Sequence, residues 1–285
     1  MTRSGSDYIS RKRIPMGPIL ASLGLVAAGL VLLYGRSDRA TGPSGGFDEG
    51  VLRVASWDLS GIAGLGSGEV TSATIKDAGR VLARSSASLI ALWGLTQRDQ
   101  AGRIAAVLGA DWDVITVADS VDASGFLAVL AEPRLPVTTR TLVPTVGPSQ
   151  CLAVTVVTSR GRVLRLIVSD PDDQPPAQRL RATESVLQWA NARAADVTII
   201  VGSLAFGTDD RRPNADNPRG SHEMQTLLQR FRIPTETELP DGGAGRANVF
   251  LVAPPTLVTG QVFTMSNPGV DGVNHAPAYV DIRMP

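Results

Sequence analysis

Short apolar runs bounded by glycine or polar residues recur from residue 51 to the end of the chain. Period-two alternation, or unbroken apolar character over roughly four to eight residues, predicts β-strands at these places. Two of the runs, CLAVTVVTS and VLRLIVS, are joined by Arg160, Gly161 and Arg162, which predicts a hairpin. The other predicted strands are VLRVASW, SLIALW, WDVITVA, GFLAVLA, VTIIVG and segments near NVFLVA, QVFTM and AYVDIRM.

Four segments between these strands have apolar positions at helical spacing. One of them, TQRDQAGRIAAVLG, has Thr96 as its predicted N-cap, Asp99 at the third helical position and Gly109 after its end. Hairpins and helical crossovers both occur, so the predicted fold class is α/β, a two-sheet mixed β-sandwich flanked by helices. The other helical segments are TSATIKDAGRVLAR, with Ile75, Ala78, Val81 and Leu82 on one face, PPAQRLRATESVLQWANARA, with Leu180, Thr183, Leu187 and Ala190 on one face, and EMQTLLQRF.

The N-terminal region differs from the rest, since residues 14–35, IPMGPILASLGLVAAGLVLLYG, contain no charged side chain. A helix of these 22 residues is long enough to cross a hydrocarbon core of about 30 Å. The apolar region of a cleaved signal peptide is shorter, about 7–15 residues, and ends at a small-x-small site, whereas this run ends in LLYGRS. We therefore expect one uncleaved transmembrane helix at residues 14–35, in front of the sandwich.

Four basic residues precede this helix and two follow it closely. The positive-inside rule then places residues 1–13 in the cytoplasm and the domain at residues 51–285 outside it, which for a bacterial inner membrane is the periplasm. Residues 36–50, in which Gly and Ser recur, are predicted as a flexible tether. One stripe of small residues along the helix is either a face for packing against another transmembrane helix or a lipid-facing surface: Gly17, Ala21, Gly24 and Ala28.

The whole chain has 27 basic and 27 acidic residues, but the first 46 residues contain six of the bases and two of the acids. The remainder therefore holds 21 bases and 25 acids, a net charge of −4. A mildly acidic domain is a poor partner for nucleic acid, because that affinity depends on neutralising phosphates. All bases except Lys12 and Lys76 are arginines, which is typical of a GC-rich bacterial genome. The single cysteine, Cys151, lies in an apolar run and is expected to be buried and inert.

Taken in order, these segments resemble the endonuclease/exonuclease/phosphatase superfamily, whose members include pancreatic deoxyribonuclease, apurinic endonucleases and sphingomyelinases. LRVASWDL is similar to the opening strand of that fold, SLIALWGL to its second strand, and VLRLIVSDP to the strand that carries a catalytic histidine. IIVGSLAFG resembles the Gly-Asp-x-Asn strand, RANVFLVAP the Arg-Ile-Asp-Tyr segment, and GVNHAPAYVDI the closing Ser-Asp-His-x-Pro motif. The resemblance covers about residues 50–285 and implies phosphodiester hydrolysis with a divalent metal, a catalytic histidine and an aspartate that works with it.

Most of the functional residues that the resemblance implies are replaced in this chain. Asp58 stands where the first strand should end in Asn, and Gly94 stands where the second should supply a metal-binding Glu. Mg²⁺ usually takes one or two carboxylates, and a catalytic histidine needs an orienting partner. The sequence therefore predicts a vestigial site that holds no metal and no cofactor. His275 alone keeps the expected residue type, and the replaced positions are Asp58, Gly94, Asp170, Ser203, Ala205, Asn248 and Asn274.

Other candidate chemistry in the sequence has a simpler explanation. The glycine-rich segment GIAGLGSG follows the first strand, as a dinucleotide-binding motif would. Such a site also needs an acidic residue at the end of the second strand, and this chain has none there, so a loop is favoured. The acids at 170–173 and 209–210 are possible oxygen ligands, but Asp-Pro and Asp-Asp before a helix are typical of turns and N-caps. His222 beside Glu223 is explained by a helix start, where an acid suits the helix dipole.

We interpret the chain as a membrane-anchored pseudoenzyme, an accessory or scaffold subunit of a bacterial membrane protein complex whose partners are integral membrane proteins. The alternative is a divergent metal-dependent phosphodiesterase or phosphatase with a rearranged site that uses Asp58 and Asp170. Acids clustered in a cleft are required by the enzyme and not by the scaffold, so their arrangement discriminates between the two.

Overall fold

The computed structural model describes residues 50–60, 72–119, 125–145, 150–170, 176–202, 229–231, 249–257, 262–265 and 276–284. The chain divides into two units, Met1–Gly42 and Pro43–Pro285, and all the described residues belong to the second. Among these residues, no helix is long and apolar enough to cross a membrane. The expected transmembrane helix at residues 14–35 lies outside the described part, together with Gly17, Ala21, Gly24 and Ala28, and it stays a prediction.

Strands and helices follow one another nearly as the hydrophobic pattern predicts. The helices are α1 (Ser72–Ser85), α2 (Gln100–Leu108) and α3 (Pro176–Asn191), with a short 3-10 turn at Pro255–Leu257. The strands are β1 (Val51–Asp58), β2 (Leu89–Leu95), β3 (Asp113–Ala118), β4 (Phe126–Ala131), β5 (Val137–Val143), β6 (Cys151–Val157), β7 (Val163–Ser169), β8 (Val197–Gly202), β9 (Val249–Ala253), β10 (Phe263–Thr264) and β11 (Ala278–Arg283).

The described strands form two mixed sheets. The first has six strands in the order β10-β11-β1-β2-β4-β3, and the second has five in the order β5-β6-β7-β8-β9. Strands β1 and β2 are parallel, as are β7 and β8, whereas the other neighbouring pairs are antiparallel. The predicted hairpin between β6 and β7 is confirmed, and so is the predicted α/β sandwich of two mixed sheets with helices.

Alternating side chains along the strands divide the interior into three layers. Leu52 and Val54 of β1 face the second sheet and share a large apolar cluster with Leu166 of β7 and Ile199 of β8. Trp57, which points to the opposite face of β1, packs in a second cluster with α1 and α2, and α3 covers the outer face of the second sheet. Burying each such large apolar side chain contributes about 1.5–3 kcal/mol, so these three clusters hold the sandwich together.

The second predicted helix begins later than the sequence indicates, and Thr96 is not its N-cap. Helix α2 starts at Gln100, after Asp99, whose side chain makes no capping hydrogen bond. The buried Gln100 side chain holds the preceding turn instead. Its Oε1 accepts the N–H groups of Thr96 and Gln97 at 2.9 and 3.2 Å, and its Nε2 donates to Thr96 Oγ1 at 2.9 Å. Gln100, at the start of α2, therefore makes the hydrogen bonds at this end of the helix that the sequence assigned to a Thr96 N-cap.

A cross-strand ion pair joins β1 to the last strand of the chain. Arg53 lies opposite Asp281, and its Nε and Nη2 donate to the two carboxylate oxygens at 2.7 and 2.8 Å. The Nη1 atom donates to the carbonyl of Ser85 at 2.9 Å, and the guanidinium lies 4.3 Å from the centre of the Tyr279 ring. The hydrogen bond to Asp281 is the main cause that raises the pKa of Arg53. This arrangement fixes the C-terminal strand to the first sheet.

We expect Asp281→Asn to lower the free energy of unfolding by about 1–2 kcal/mol, because a bidentate, partly buried, charge-assisted pair is lost. Urea unfolding followed by circular dichroism measures this difference. Asp77→Asn is the matched control, because Asp77 pairs with Arg80 at 3.0 Å on the exposed surface of α1. Exposed pairs contribute about 0–1 kcal/mol, so the control should unfold almost as the parent does. Equal effects of the two substitutions would contradict a structural role for the Arg53 pair.

Candidate functional site

The carboxyl ends of β1, β2, β7 and β8 lie at one end of the sandwich. In the first sheet, Leu95 and Ala118 both pair with Phe126, so the ends of β2 and β3 are at the same edge. In the second sheet, Ser169 lies between its partners Cys151 and Gly202, so the ends of β7 and β8 coincide with the start of β6.

One backbone hydrogen bond connects these two edges. The N–H of Gln150, which precedes β6, donates to the carbonyl of Asp119, which follows β3. The end of the sandwich that carries Asp58 and Gly94 therefore also carries Asp170 and the exit of β8 towards Ser203. Polar groups delivered by separate parallel strands to one edge are the usual basis of an active site in an α/β protein.

Asp58, the last residue of β1, is buried, with 5% of its surface exposed. Its Oδ1 accepts the backbone N–H of Ser60 at 2.8 Å and the Ser60 hydroxyl at 2.5 Å. This is the pattern of an Asx turn, in which an aspartate satisfies the backbone two residues further on. The chain is held over the end of the next strand as well, because the N–H of Leu59 donates to the carbonyl of Trp93 at 2.9 Å. One oxygen of Asp58 therefore holds a turn.

Gly94 lies directly under this turn, in a bulge where the pairing of β2 with β4 shifts register. Its φ is +70°, a backbone conformation that favours glycine. A Cβ atom at this position would lie 2.3 Å from the backbone nitrogen of Ser60 and 2.8 Å from its Cα. Both contacts involve backbone-linked atoms that cannot rotate away. The Asp58–Ser60 turn therefore occupies the space that the Cβ atom of any other residue at position 94 would need.

One further predicted position, Asp170, and one glycine, Gly202, lie at the ends of strands of the second sheet. Asp170 comes directly after β7 and is half-buried. Gly202, the glycine before Ser203, has a φ of +147°, and a Cβ there would lie 1.7 Å from the carbonyl oxygen of Ser169. The backbones of β7 and β8 thus approach closely where they end. Five positions of the predicted vestigial site lie outside the described residues: Ser203, Ala205, Asn248, Asn274 and His275.

Within the described ranges, no three Asp, Glu, His or Cys side chains come together in a way that could hold a metal ion. Cys151 is fully buried at the start of β6, where burial raises the pKa of its thiol to about 12, against a smaller opposing effect of a hydrogen bond with Ser169. A thiol with so high a pKa is neutral and unreactive at physiological pH, because the thiolate is the reactive form. The prediction that Cys151 is buried is confirmed.

Sequence reasoning did not single out Ser60, although it decides what Asp58 and Gly94 do. The signal for it was the sequence Asp-Leu-Ser directly after an apolar strand. An aspartate at the start of a loop often accepts a hydrogen bond from the backbone two residues further on, which forms an Asx turn. The shift in strand pairing beside Gly94 had no comparable signal. A bulge depends on the partner strand, which a local pattern does not contain.

Comparison with known proteins identifies the fold. No protein-family model and no curated protein matches the amino-acid sequence. Solved structures do match: an endonuclease/exonuclease/phosphatase family protein from Bacteroides thetaiotaomicron has a TM-score of 0.62 at 10% identity, over 82% of this chain and 95% of that one. Truncated TDP2 from Caenorhabditis elegans has a TM-score of 0.58 at 11% identity, over 82% and 98% of the two chains. The human Nocturnin catalytic domain has a TM-score of 0.58 at 13% identity, over 81% and 93%.

The class of protein is therefore defined at the level of architecture. The chain has the fold of the endonuclease/exonuclease/phosphatase superfamily, in agreement with the resemblance of its segments. Identities of 10–13% establish the fold and not the activity, because one fold hosts different functions. One of these matched structures is described as a catalytic domain, that of human Nocturnin.

Proposed function

We propose that this chain is a non-catalytic, membrane-anchored accessory or scaffold subunit of a bacterial membrane protein complex. The observation that carries the proposal is the lack of space for a side chain at Gly94, near the end of β2. Gly94 has a positive φ, and the backbone of Ser60 lies where the first side-chain atom of any other residue would be. A hydrolase of the type that the resemblance implies needs a carboxylate at this position. The local backbone is built so that position 94 carries no side chain.

The other replacements act in the same direction. A hard divalent cation needs oxygen ligands, and neither Gly94 nor Ala205 has a side-chain oxygen. Asn274 stands where an aspartate would orient His275, and a neutral amide cannot stabilise the charged form of the imidazole as a carboxylate does. Loss of the metal-binding carboxylate at position 94 and of the carboxylate partner of His275 removes two independent parts of the reaction.

The alternative enzyme has two points in its favour. The matched structures include a catalytic domain, and Asp58, the last residue of β1, and Asp170, which follows β7, lie at the same edge of the sandwich. A rearranged site would use these two carboxylates for a divalent metal. Against it, one oxygen of Asp58 already accepts two hydrogen bonds from Ser60. A metal ion at that oxygen would compete with the turn that covers Gly94.

The membrane part of the proposal rests on the uncharged segment at residues 14–35 and the basic residues around it. A domain tethered to a bilayer by about fifteen residues has an effective concentration of roughly millimolar towards another membrane protein. A weak contact then suffices for association. The net charge of −4 beyond residue 46 favours a protein partner over nucleic acid or an anionic membrane surface.

We expect the purified full chain to give no saturable heat on calorimetric titration with Mg²⁺ or Mn²⁺, and no turnover of bis(p-nitrophenyl) phosphate with either metal. The physical reason is the missing carboxylate at position 94. Asp58→Asn and Asp170→Asn should leave both measurements unchanged. Asp77→Asn, on the exposed face of α1, is the control for loss of one surface carboxylate.

The proposal is wrong if the chain binds one metal saturably and hydrolyses the phosphodiester, with both properties lost in Asp58→Asn or Asp170→Asn and kept in Asp77→Asn. Turnover that survives all three substitutions equally contradicts the proposal if its specific activity stays constant through an additional column, and comes from a contaminating hydrolase if it separates from the chain there.

A further inference from the structure

A cavity of about 560 Å³ lies at the end of the second sheet opposite to the candidate site. Thr198, near the start of β8, pairs with Ala253 at the end of β9, and both line the cavity, whereas Gly202 pairs with Val249 at the other end of these strands. The C-terminal end of α3 forms another wall. This volume is within the range of about 300–1,000 Å³ that small-molecule sites occupy.

The base of the cavity is apolar. Phe231 is 8% exposed and Ala190 4% exposed, so both side chains belong to the outer core of the second sheet. Ala253, Pro254 and Pro255 complete the apolar lining beside them. Contact with these five residues would stabilise a compact apolar group in the cavity, since burial of apolar surface is favourable.

Two arginines, Arg193 and Arg230, line the same cavity. Their described hydrogen bonds go only to backbone carbonyls: Nη1 of Arg193 donates to Trp189 at 3.2 Å, and Nη1 of Arg230 donates to Asn191 at 3.5 Å. Among the described residues, no carboxylate forms a salt bridge with either of them. A guanidinium has five N–H donors, so each keeps donors for an anion.

Arg165 holds this arrangement in place from β7. Its Nη1 and Nη2 donate to the carbonyls of Arg193 and Ala194 at 3.1 and 3.2 Å, which fixes the backbone that enters the cavity. The Trp189 ring carries two guanidinium groups, Arg193 at 4.2 Å from its centre and Arg165 at 5.4 Å. Burial, followed by repulsion from Arg193, lowers the pKa of Arg165. Positive charge is therefore concentrated here in a domain whose overall charge is negative.

We propose that this cavity is a binding site for a small organic anion, a molecule with one carboxylate or phosphate on a compact apolar body. The anionic group would lie between Arg193 and Arg230, and the apolar body would lie on Phe231 and the two prolines. Arginine suits this task because its planar fork matches carboxylate and phosphate oxygens. The site is independent of the end of the sandwich that carries Asp58, so it stands or falls separately from the proposed function.

The test is isothermal titration calorimetry of the full chain in a non-ionic detergent with naphthalene-1-acetate. We expect saturable binding of this acid, at least tenfold weaker binding of the uncharged naphthalene-1-acetamide, and at least tenfold weaker binding of inorganic phosphate. The amide keeps the apolar body without the charge, and phosphate keeps the charge without the apolar body. Equal affinity for the acid and the amide, or for the acid and phosphate, would contradict the proposed division of the cavity.

Substitutions locate the binding. Arg193→Gln and Arg230→Gln should each weaken the binding of naphthalene-1-acetate at least tenfold, and Ala194→Phe, at an exposed position of the lining, should also weaken it by narrowing the cavity. Arg134→Gln is the matched control, because Arg134 is 60% exposed, pairs with Glu132 and lies outside the cavity lining. Absence of saturable binding to the parent chain overturns the proposal. Affinity that is unchanged in Arg193→Gln, Arg230→Gln and Ala194→Phe, or that falls as much in Arg134→Gln as in the two arginine variants of the cavity, overturns it too.

Discussion

Replacing Gly202 with alanine will lower the free energy of unfolding by about 2–6 kcal/mol, since it combines about 1–3 kcal/mol of backbone strain with a similar cost of overpacking. The φ of +147° at this position is one that L-residues rarely adopt. The new methyl group would also lie 1.7 Å from the carbonyl oxygen of Ser169, so β7 and β8 would have to separate. These strands form the centre of the second sheet, and their separation would disturb the core on both faces.

Two other glycines separate these causes. Gly161, in the β6–β7 hairpin, has a φ of +74°, and no atom lies within 4 Å of the place that a Cβ would occupy. Gly161→Ala should therefore cost only the backbone strain, about 1–2 kcal/mol. Gly102 lies in the exposed part of α2, has open space around it and has no positive φ, so Gly102→Ala should stabilise the chain by about 0.5–1 kcal/mol. Urea unfolding of the three variants and the parent measures the series. A Gly202→Ala effect no larger than that of Gly161→Ala would show that the two strands do not approach as closely as described.

Most of the described fold could be predicted from the apolar pattern, because each strand and helix has one face in a core. Val81 and Leu82 of α1, for example, were assigned to a buried face by their spacing, and both are almost fully buried. Strand β5 was missed. Its sequence, VTTRTLV, is mostly polar, and the structure leaves five consecutive residues exposed at the edge of the second sheet. An edge strand is held by backbone hydrogen bonds to one neighbour, which leave no trace in hydrophobicity.

The candidate site shows where local patterns stop being informative. The sequence shows that Gly94 has no side-chain oxygen to bind a metal. It does not show why the structure requires glycine at this position. That reason needs the φ of Gly94, the bulge between β2 and β4, and the turn at Ser60, and these depend on three separate segments. The basic cavity was missed for the same reason. Arg193 and Arg230 line it only when the end of α3, the residues that follow it and the segment at residues 229–231 pack together, and Arg165 reaches the carbonyl of Arg193 from β7.

Charged residues in the middle of the N-terminal apolar segment will release the protein from the membrane. Leu25 and Val26 are adjacent large apolar residues next to the midpoint of residues 14–35, which falls between Gly24 and Leu25. Arginine at the centre of a transmembrane helix costs about 2.5–3.5 kcal/mol on insertion scales, so the double substitution Leu25→Arg/Val26→Arg costs about 5–7 kcal/mol. Since each 1.4 kcal/mol is a tenfold change, this corresponds to roughly a 10⁴-fold shift away from the inserted state. Ser37→Arg, just after the segment, adds a charge without placing it in the hydrocarbon core and is the control.

The measurement is an alkaline carbonate wash of membranes from cells that express each variant, combined with protease added to intact spheroplasts. The parent and Ser37→Arg should stay with the membrane through the wash, because 22 uncharged residues are enough for a helix that spans the hydrocarbon core. The double arginine variant should be extracted. Protease should remove residues 51–285 from intact spheroplasts, because the positive-inside rule predicts that the basic residues before the apolar segment keep the N-terminus in the cytoplasm. Extraction of the parent by carbonate would show that residues 14–35 do not span the bilayer. Full protection of the domain until the spheroplasts are lysed would show the opposite orientation, and a periplasmic scaffold would then be impossible.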